Sequence, residues 1–304
     1  MKNIIKNNLI VLLVVIFITI LTIYFIQNNI NEEKNKEAET AQNLENLRIL
    51  SLSPSVTEYI YDLGLGDQLI GNTTFCNYPL DAKNKEKVAS FNEVNYEAVA
   101  RLNINTAIIQ QGMVSQKERL KSMNIRVIEI NNNTIGDMIS SYDILGKALN
   151  IEKIANEKKE AIIKSIESVK ESIKQEDKKT VVISIFREFS KPVQKFTTVG
   201  KDTFYQEIME ILNVENPYKN EMPYPEVNIE SLILANPDMI IDLYPSDDKT
   251  DISKDWDKLQ IVKAVKNKKV IVLNDKVLSL PGPRIAEIIN KFYMAIYEKE
   301  LHEK

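Results

Sequence analysis

Residues 151–174, IEKIANEKKEAIIKSIESVKESIK, contain no glycine and no proline. Their apolar positions are Ile151, Ile154, Ile162, Ile166, Val169 and Ile173. Spacing by threes and fours, with one two-turn gap, is the period of an α-helix with a single buried stripe. The other faces are lysine and glutamate, which meet water. At ~1.5 Å per residue such a helix spans roughly 35 Å, about the width of a small domain. Strand–helix alternation runs on both sides of it. The stretch reads as a connector between two α/β lobes, an ordinary long surface helix being the alternative.

The flanking alternation is explicit. Arg48–Leu52 alternates like a strand, and Ser53-Pro54 supplies an N-cap and a first-turn proline for a helix through Val56, Tyr59, Ile60 and Leu63 that Gly64 ends. Strands are expected at 68–71, 88–91, 106–109 and 126–130, and helices at 96–102, 115–123 and 135–149. Beyond the connector, strands are expected at 180–186, 239–243 and 269–273, with helices at 203–212, 229–235 and 284–297. The fold class is α/β, two Rossmann-like lobes with mainly parallel sheets. The expected division is 47–149 for the N-terminal lobe, 150–176 for the inter-lobe helix and 177–304 for the C-terminal lobe.

Ahead of the lobes, residues 9–26 (LIVLLVVIFITILTIYFI) form an apolar run at the lower end of a membrane span. Lys2 and Lys6 precede it, which favours a cytoplasmic N-terminus, residues 1–8, and an extracytoplasmic body. A cleaved signal peptide is the rival reading, although no small-x-small cleavage site follows directly. No cysteine closes the run to carry a lipid. Residues 27–46 are polar and charged and read as a tether.

Composition narrows the chemistry. Hydrophobic residues are 44% and charged residues 27%, as in a folded body, and a formal net charge of −4 leaves no footprint for nucleic acid. Cys76 is the only cysteine and His302 the only histidine. No intrachain disulfide, no histidine-based triad away from the tail and no Cys/His zinc site can be built. There is no phosphate-binding glycine loop and no serine elbow. The chain is therefore expected not to be an enzyme, and no cofactor or metal is assigned. Cys76 reads as a small buried apolar residue.

One pattern occurs twice. Asn95, Glu97 and Asn103 precede the strand TAII; Asn228, Glu230 and Asn236, at identical spacing, precede MIID. Glu97 and Glu230 are thus first-turn carboxylates, favourable near the positive end of a helix. On equivalent faces of two lobes they would also offer two matched negative points to one partner.

Leu52-Ser53-Pro54-Ser55-Val56-Thr57-Glu58, Phe75-Cys76-Asn77-Tyr78-Pro79 and Asn95-x-Glu97 resemble the N-lobe of one protein group. Val199-Gly200-Lys201-Asp202, Met222-Pro223-Tyr224-Pro225 with Glu230, and Pro281-Gly282-Pro283-Arg284-Ile285 resemble its C-lobe. The group is the substrate-binding proteins of ABC importers in the iron-siderophore and cobalamin family, and the resemblance covers roughly Leu47 to Tyr297. It implies two lobes joined by one long helix, a ligand cleft between them, limited hinge motion, and docking onto a permease dimer with its ATPase through Glu97 and Glu230. The cobalamin-binding members look most similar. By that resemblance Phe75, Tyr78, Phe91, Phe196 and Tyr224 line the cleft, which suits a broad, flat, partly apolar ligand. Two family positions depart, at Gln110 and near Ser279. A ferric-chelate binder would instead use Arg187, Tyr224 and Arg284. The expected function is a membrane-tethered, extracytoplasmic receptor that delivers a corrinoid to an ABC permease, with iron-chelate capture and a membrane-anchored sensor as the alternatives.

Overall fold

The computed structural model describes residues 21–31, 42–90, 93–246 and 251–298. Residues 1–47 and 48–304 form separate compact units. In the first, residues 21–31 (α1) and 42–45 are helical. Among the described residues no helix is long and apolar enough to cross a membrane. Most of the expected 9–26 span, residues 9–20, lies outside the described residues.

The body carries two sheets. Residues up to Ile130 contribute β1 (Ile49–Ser51), β2 (Leu69–Thr73), β3 (Glu86–Ser90), β4 (Glu93–Val94), β5 (Thr106–Gln110) and β6 (Arg126–Ile130), in the order β4-β3-β2-β1-β5-β6. Only the β3–β4 pair is antiparallel. Between the strands come α2 (Pro54–Asp62), α3 (Tyr96–Arg101) and α4 (Val114–Ser122). Ser53 caps α2, its hydroxyl accepting from the Val56 amide, and Pro54 opens the helix as the sequence suggests. The N-lobe core is aliphatic, with Leu50, Val88, Val99, Ala107, Ile109 and Leu120 buried together.

Two helices follow, α5 (Ile135–Leu149) and α6 (Glu152–Ser172). Helix α6 occupies the stretch expected as the connector, with one of its expected buried residues out of place. Ile154 is 40% exposed, and Ala155 takes its place in the stripe with Ile162, Ile166 and Val169. The reason is a close crossing: a Cβ on Gly146 of α5 would stand 2.8 Å from the Ala155 Cβ, so two small residues are needed there. Lys158 and Lys159 fasten α6 to Asp62 and Asp143 at 2.9 and 2.6 Å.

The C-lobe sheet has the order β11-β10-β7-β8-β9, from β7 (Val181–Phe186), β8 (Lys195–Thr198), β9 (Glu226–Asn228), β10 (Met239–Leu243) and β11 (Val270–Leu273). β7, β10 and β11 are parallel, whereas β8 and β9 run antiparallel along one edge. Its helices are α7 (Phe204–Ile211), α8 (Ile229–Ala235), α9 (Lys263–Lys266) and α10 (Ile285–Tyr297). Helix α10 returns against α6. Trp256 and Phe196 lie in the C-lobe core, rings edge-on with centroids 5.5 Å apart.

Candidate functional site

The lobes meet through side chains whose partners lie far apart in sequence. Glu58, on α2, is buried and accepts two hydrogen bonds from Arg284, which precedes α10: Nε to Oε2 at 2.9 Å and Nη2 to Oε1 at 2.6 Å. Burial pushes the Glu58 carboxyl above the usual carboxylate range, and the Arg284 guanidinium opposes that rise. The same guanidinium lies over the Tyr78 ring, 4.0 Å from its centroid. Two residues earlier, Gly282 packs on Ser55, so closely that a Cβ there would come within 3.2 Å of the Ser55 Cβ. A cavity of about 310 Å³ lies beside this contact, lined by Glu58, Tyr61, Tyr78, Pro283 and Arg284. A second link joins Glu207 of α7 to the Ile135 amide that opens α5, at 2.5 Å. Burial raises the Glu207 carboxyl, opposed by that amide.

Beneath Gly282 the N-lobe is polar. The Ser55 hydroxyl accepts from Gln110 Nε2 at 2.8 Å and from Asn132 Nδ2 at 3.0 Å. Ser55 opens α2 after β1, Gln110 ends β5, and Asn132 follows β6, so the cluster gathers the carboxyl ends of three neighbouring strands. In α/β sheets such ends are where ligands bind. Asn132 is buried, and its Oδ1 has no hydrogen-bond partner among the described residues. Gln110, noted in the sequence as a departure, is thereby a member of a hydrogen-bonded floor.

The expected ligand residues separate into groups. Phe75 and Tyr78 are exposed on the loop after β2. Tyr224 is exposed ahead of β9, its hydroxyl pushed up by partial burial. Burial pushes the neighbouring helix's Tyr205 phenol up, a hydrogen bond with Ser279 opposes the rise, and the charge of Tyr224 adds slightly to it. The Tyr205 hydroxyl donates to the Leu278 carbonyl at 2.7 Å. Leu278 belongs to the 3₁₀ turn Lys276–Ser279 that leads into Gly282 and Arg284. Segment 276–284 therefore touches Tyr78 through Arg284 and Tyr205 through Leu278. Phe91 lies outside the described residues.

Two expectations are corrected. Phe196, expected to face the cleft, is 1% exposed, and its ring belongs to the C-lobe core against Trp256. Arg187, expected as a counter-charge for an anionic chelate, is buried with its guanidinium committed inside the lobe. It meets Asp242 at 2.7 Å and Asp255 at 2.6 Å and donates to the carbonyls of Glu188 and Ile252. Asp242 also accepts from Trp256 Nε1 at 2.9 Å. Cys76 is buried, with its sulfur 3.1 Å from the donating Thr57 hydroxyl.

Sequence reasoning missed the Glu58–Arg284 and Glu207–Ile135 links and the Ser55 cluster. Glu58 lies on the helix face opposite Val56, Tyr59 and Ile60, so nothing in the helical period marked it for burial; its partner Arg284 is far along the chain.

The repeated pattern has matching geometry. β4 and β9 are each the terminal strand of their sheet. Each leads into an asparagine N-cap, Asn95 accepting from the Ala98 amide and Asn228 from the Ser231 amide at 2.9 and 3.0 Å. Glu97 and Glu230 stand exposed in the following first turns. Asn103 and Asn236 end both units in the left-handed region, at φ 51° and 40°, which asparagine tolerates.

Residues 49–277 match the family described as Periplasmic binding protein. Among curated relatives, the uncharacterized ABC transporter substrate-binding lipoprotein YvrC of Bacillus subtilis is 28% identical over 265 residues, covering 84% of this chain and 82% of YvrC. The vitamin B12-binding protein of Vibrio campbellii is 28% identical over 197 residues, 64% of this chain and 69% of its own. Among solved structures, the periplasmic heme-binding protein HutB of Vibrio cholerae superposes with a TM-score of 0.72 at 22% identity, over 83% of this chain and 99% of HutB. The chain belongs to the periplasmic binding protein family of ABC importers and is a substrate-binding protein, not an enzyme.

Proposed function

We propose that the protein captures a corrinoid between its two lobes outside the cytoplasm and delivers it to an ABC permease. The observation that carries this is the set of exposed rings, Phe75 and Tyr78 from one lobe and Tyr224 from the other, with Tyr78 stacked by the cross-lobe Arg284. Exposed aromatics cost solvation unless a ligand covers them, and flat rings offer broad contact at low entropic cost. A relative named for vitamin B12 binding supports the same ligand class. Commitment of Arg187 to Asp242 and Asp255 removes one cation from the ferric-chelate alternative.

Delivery rests on Glu97 and Glu230, both exposed and both held at the first turn of a helix beside an edge strand. Arginines of the permease are their proposed partners. The membrane tether is residues 9–26, since the only cysteine, Cys76, is buried in the body and unavailable for lipid attachment. Calorimetric titration of residues 48–304 with cyanocobalamin, hemin and a ferric hydroxamate in parallel tests the ligand class. The expected result is one-to-one binding of cyanocobalamin; heat from the hydroxamate alone would contradict it.

A further inference from the structure

The two docking helices are built alike and finished differently. Four residues after Glu230, on the same helical face, stands Leu234, 87% exposed. The other apolar residues of α8, Ile229, Leu232 and Ile233, pack into the C-lobe core, so Leu234 is surplus to it. Beside it runs a groove of about 720 Å³ along edge strand β9, lined by Pro217, Tyr218, Pro225, Val227, Ser231 and Leu234. Two carboxylates, Glu221 and Glu226, line that groove, and Glu230 immediately precedes its lining residue Ser231. Lys195 answers only Glu226, at 2.9 Å. Among the described residues neither Glu221 nor Glu230 joins an ion pair.

The equivalent place on the N-lobe carries a charge instead of an apolar side chain. Four residues after Glu97 stands Arg101, which bridges to Glu86 at 2.8 Å with both side chains in solvent. Such a pair contributes little and is screened by salt.

We infer that Leu234 and the β9 groove form the anchoring half of the permease-docking surface, receiving an apolar side chain that accompanies a basic residue on the permease, while the N-lobe half acts by charge alone. The acidic rim selects the basic partner, and the open groove receives its apolar neighbour. This rests on the reading of Glu97 and Glu230 as docking residues. The contact at Glu97 is then salt-sensitive, and the contact at Leu234 persists in salt because burial of an apolar side chain does not depend on charge.

The test uses the full chain in its host membrane, with a photo-crosslinking amino acid placed in turn at positions 97, 230 and 234. The expected result is adducts with an ABC permease subunit from all three. Raising salt to about 0.5 M shortens the reach of charge to a few ångströms and should suppress the adduct at 97 while sparing that at 234. In a second variant, Leu234→Asp should cut the adduct from position 230 about tenfold, as expected for losing one buried leucine. Permease adducts from 97 and 230 but none from 234, an adduct at 234 as salt-sensitive as that at 97, or one with a second copy of this chain would overturn the inference alone. No permease adduct from any position would overturn the docking reading itself.

Discussion

The two lobes keep their buried polarity in different places. In the C-lobe it is ionic and turned inward: Arg187, Asp242, Asp255 and the Trp256 indole satisfy one another around the carboxyl end of β7. In the N-lobe it is uncharged and lies beneath the seam, where Ser55, Gln110 and Asn132 share one hydroxyl under Gly282. The one buried N-lobe carboxylate at the seam, Glu58, finds its cation on the other lobe. The C-lobe thus keeps one charged network for its own architecture and sends Arg284 and Glu207 to the boundary, where the N-lobe answers with Glu58 and a backbone amide.

The strongest way to break this contrast is Asp242→Asn. It leaves Arg187 buried with only Asp255 and weakens the Trp256 acceptor, and urea unfolding should show a loss of about 3–5 kcal/mol. A loss under about 1 kcal/mol would mean the network is not structural. The N-lobe counterpart is Ser55→Ala, which strands the Gln110 and Asn132 amides and should cost about 1–3 kcal/mol by the same measurement.

The connector gives a paired test. Ala155→Leu forces bulk against Gly146 and should cost about 1–3 kcal/mol, whereas Ile154→Ala, on the exposed side, should change stability by less than about 1 kcal/mol. The reverse ranking would place the stripe where the sequence alone put it.

The smallest effect concerns pH. The native Glu58 carboxyl binds its proton at higher pH than the unfolded chain does. The native state therefore holds more protons in the window between the two pKa values, and stability falls as pH rises through it. Relative to Glu58→Gln, the wild type should gain stability as pH falls from above the native Glu58 pKa toward the unfolded carboxylate value. Urea midpoints of both proteins across that window measure it; a difference that moves the other way would show that the Arg284 pairing outweighs burial.

Much of this architecture was readable because it is local. Periodicity alone gave β6 at 126–130, α5 at 135–149 and β10 at 239–243, and the Asn-x-Glu echo marked both edge-strand units. What stayed hidden depends on partners far along the chain. Lys195–Thr198 has no pattern of its own and becomes a strand by pairing with β7 and β9. Phe196 reads as a cleft residue until Trp256 is seen to cover it, and Arg187 as a ligand group until Asp242 and Asp255 close on it. Arg284 precedes its helix like any solvent-facing arginine, and its partner lies 226 residues earlier.

That a ligand is gripped by both lobes is tested most directly by titrating cyanocobalamin into the wild type, Phe75→Ala and Tyr224→Ala. Loss of one ring contact from either lobe should weaken binding by about tenfold, with the one-to-one stoichiometry retained. Unchanged affinity in either variant would place the ligand on a single lobe and contradict the account.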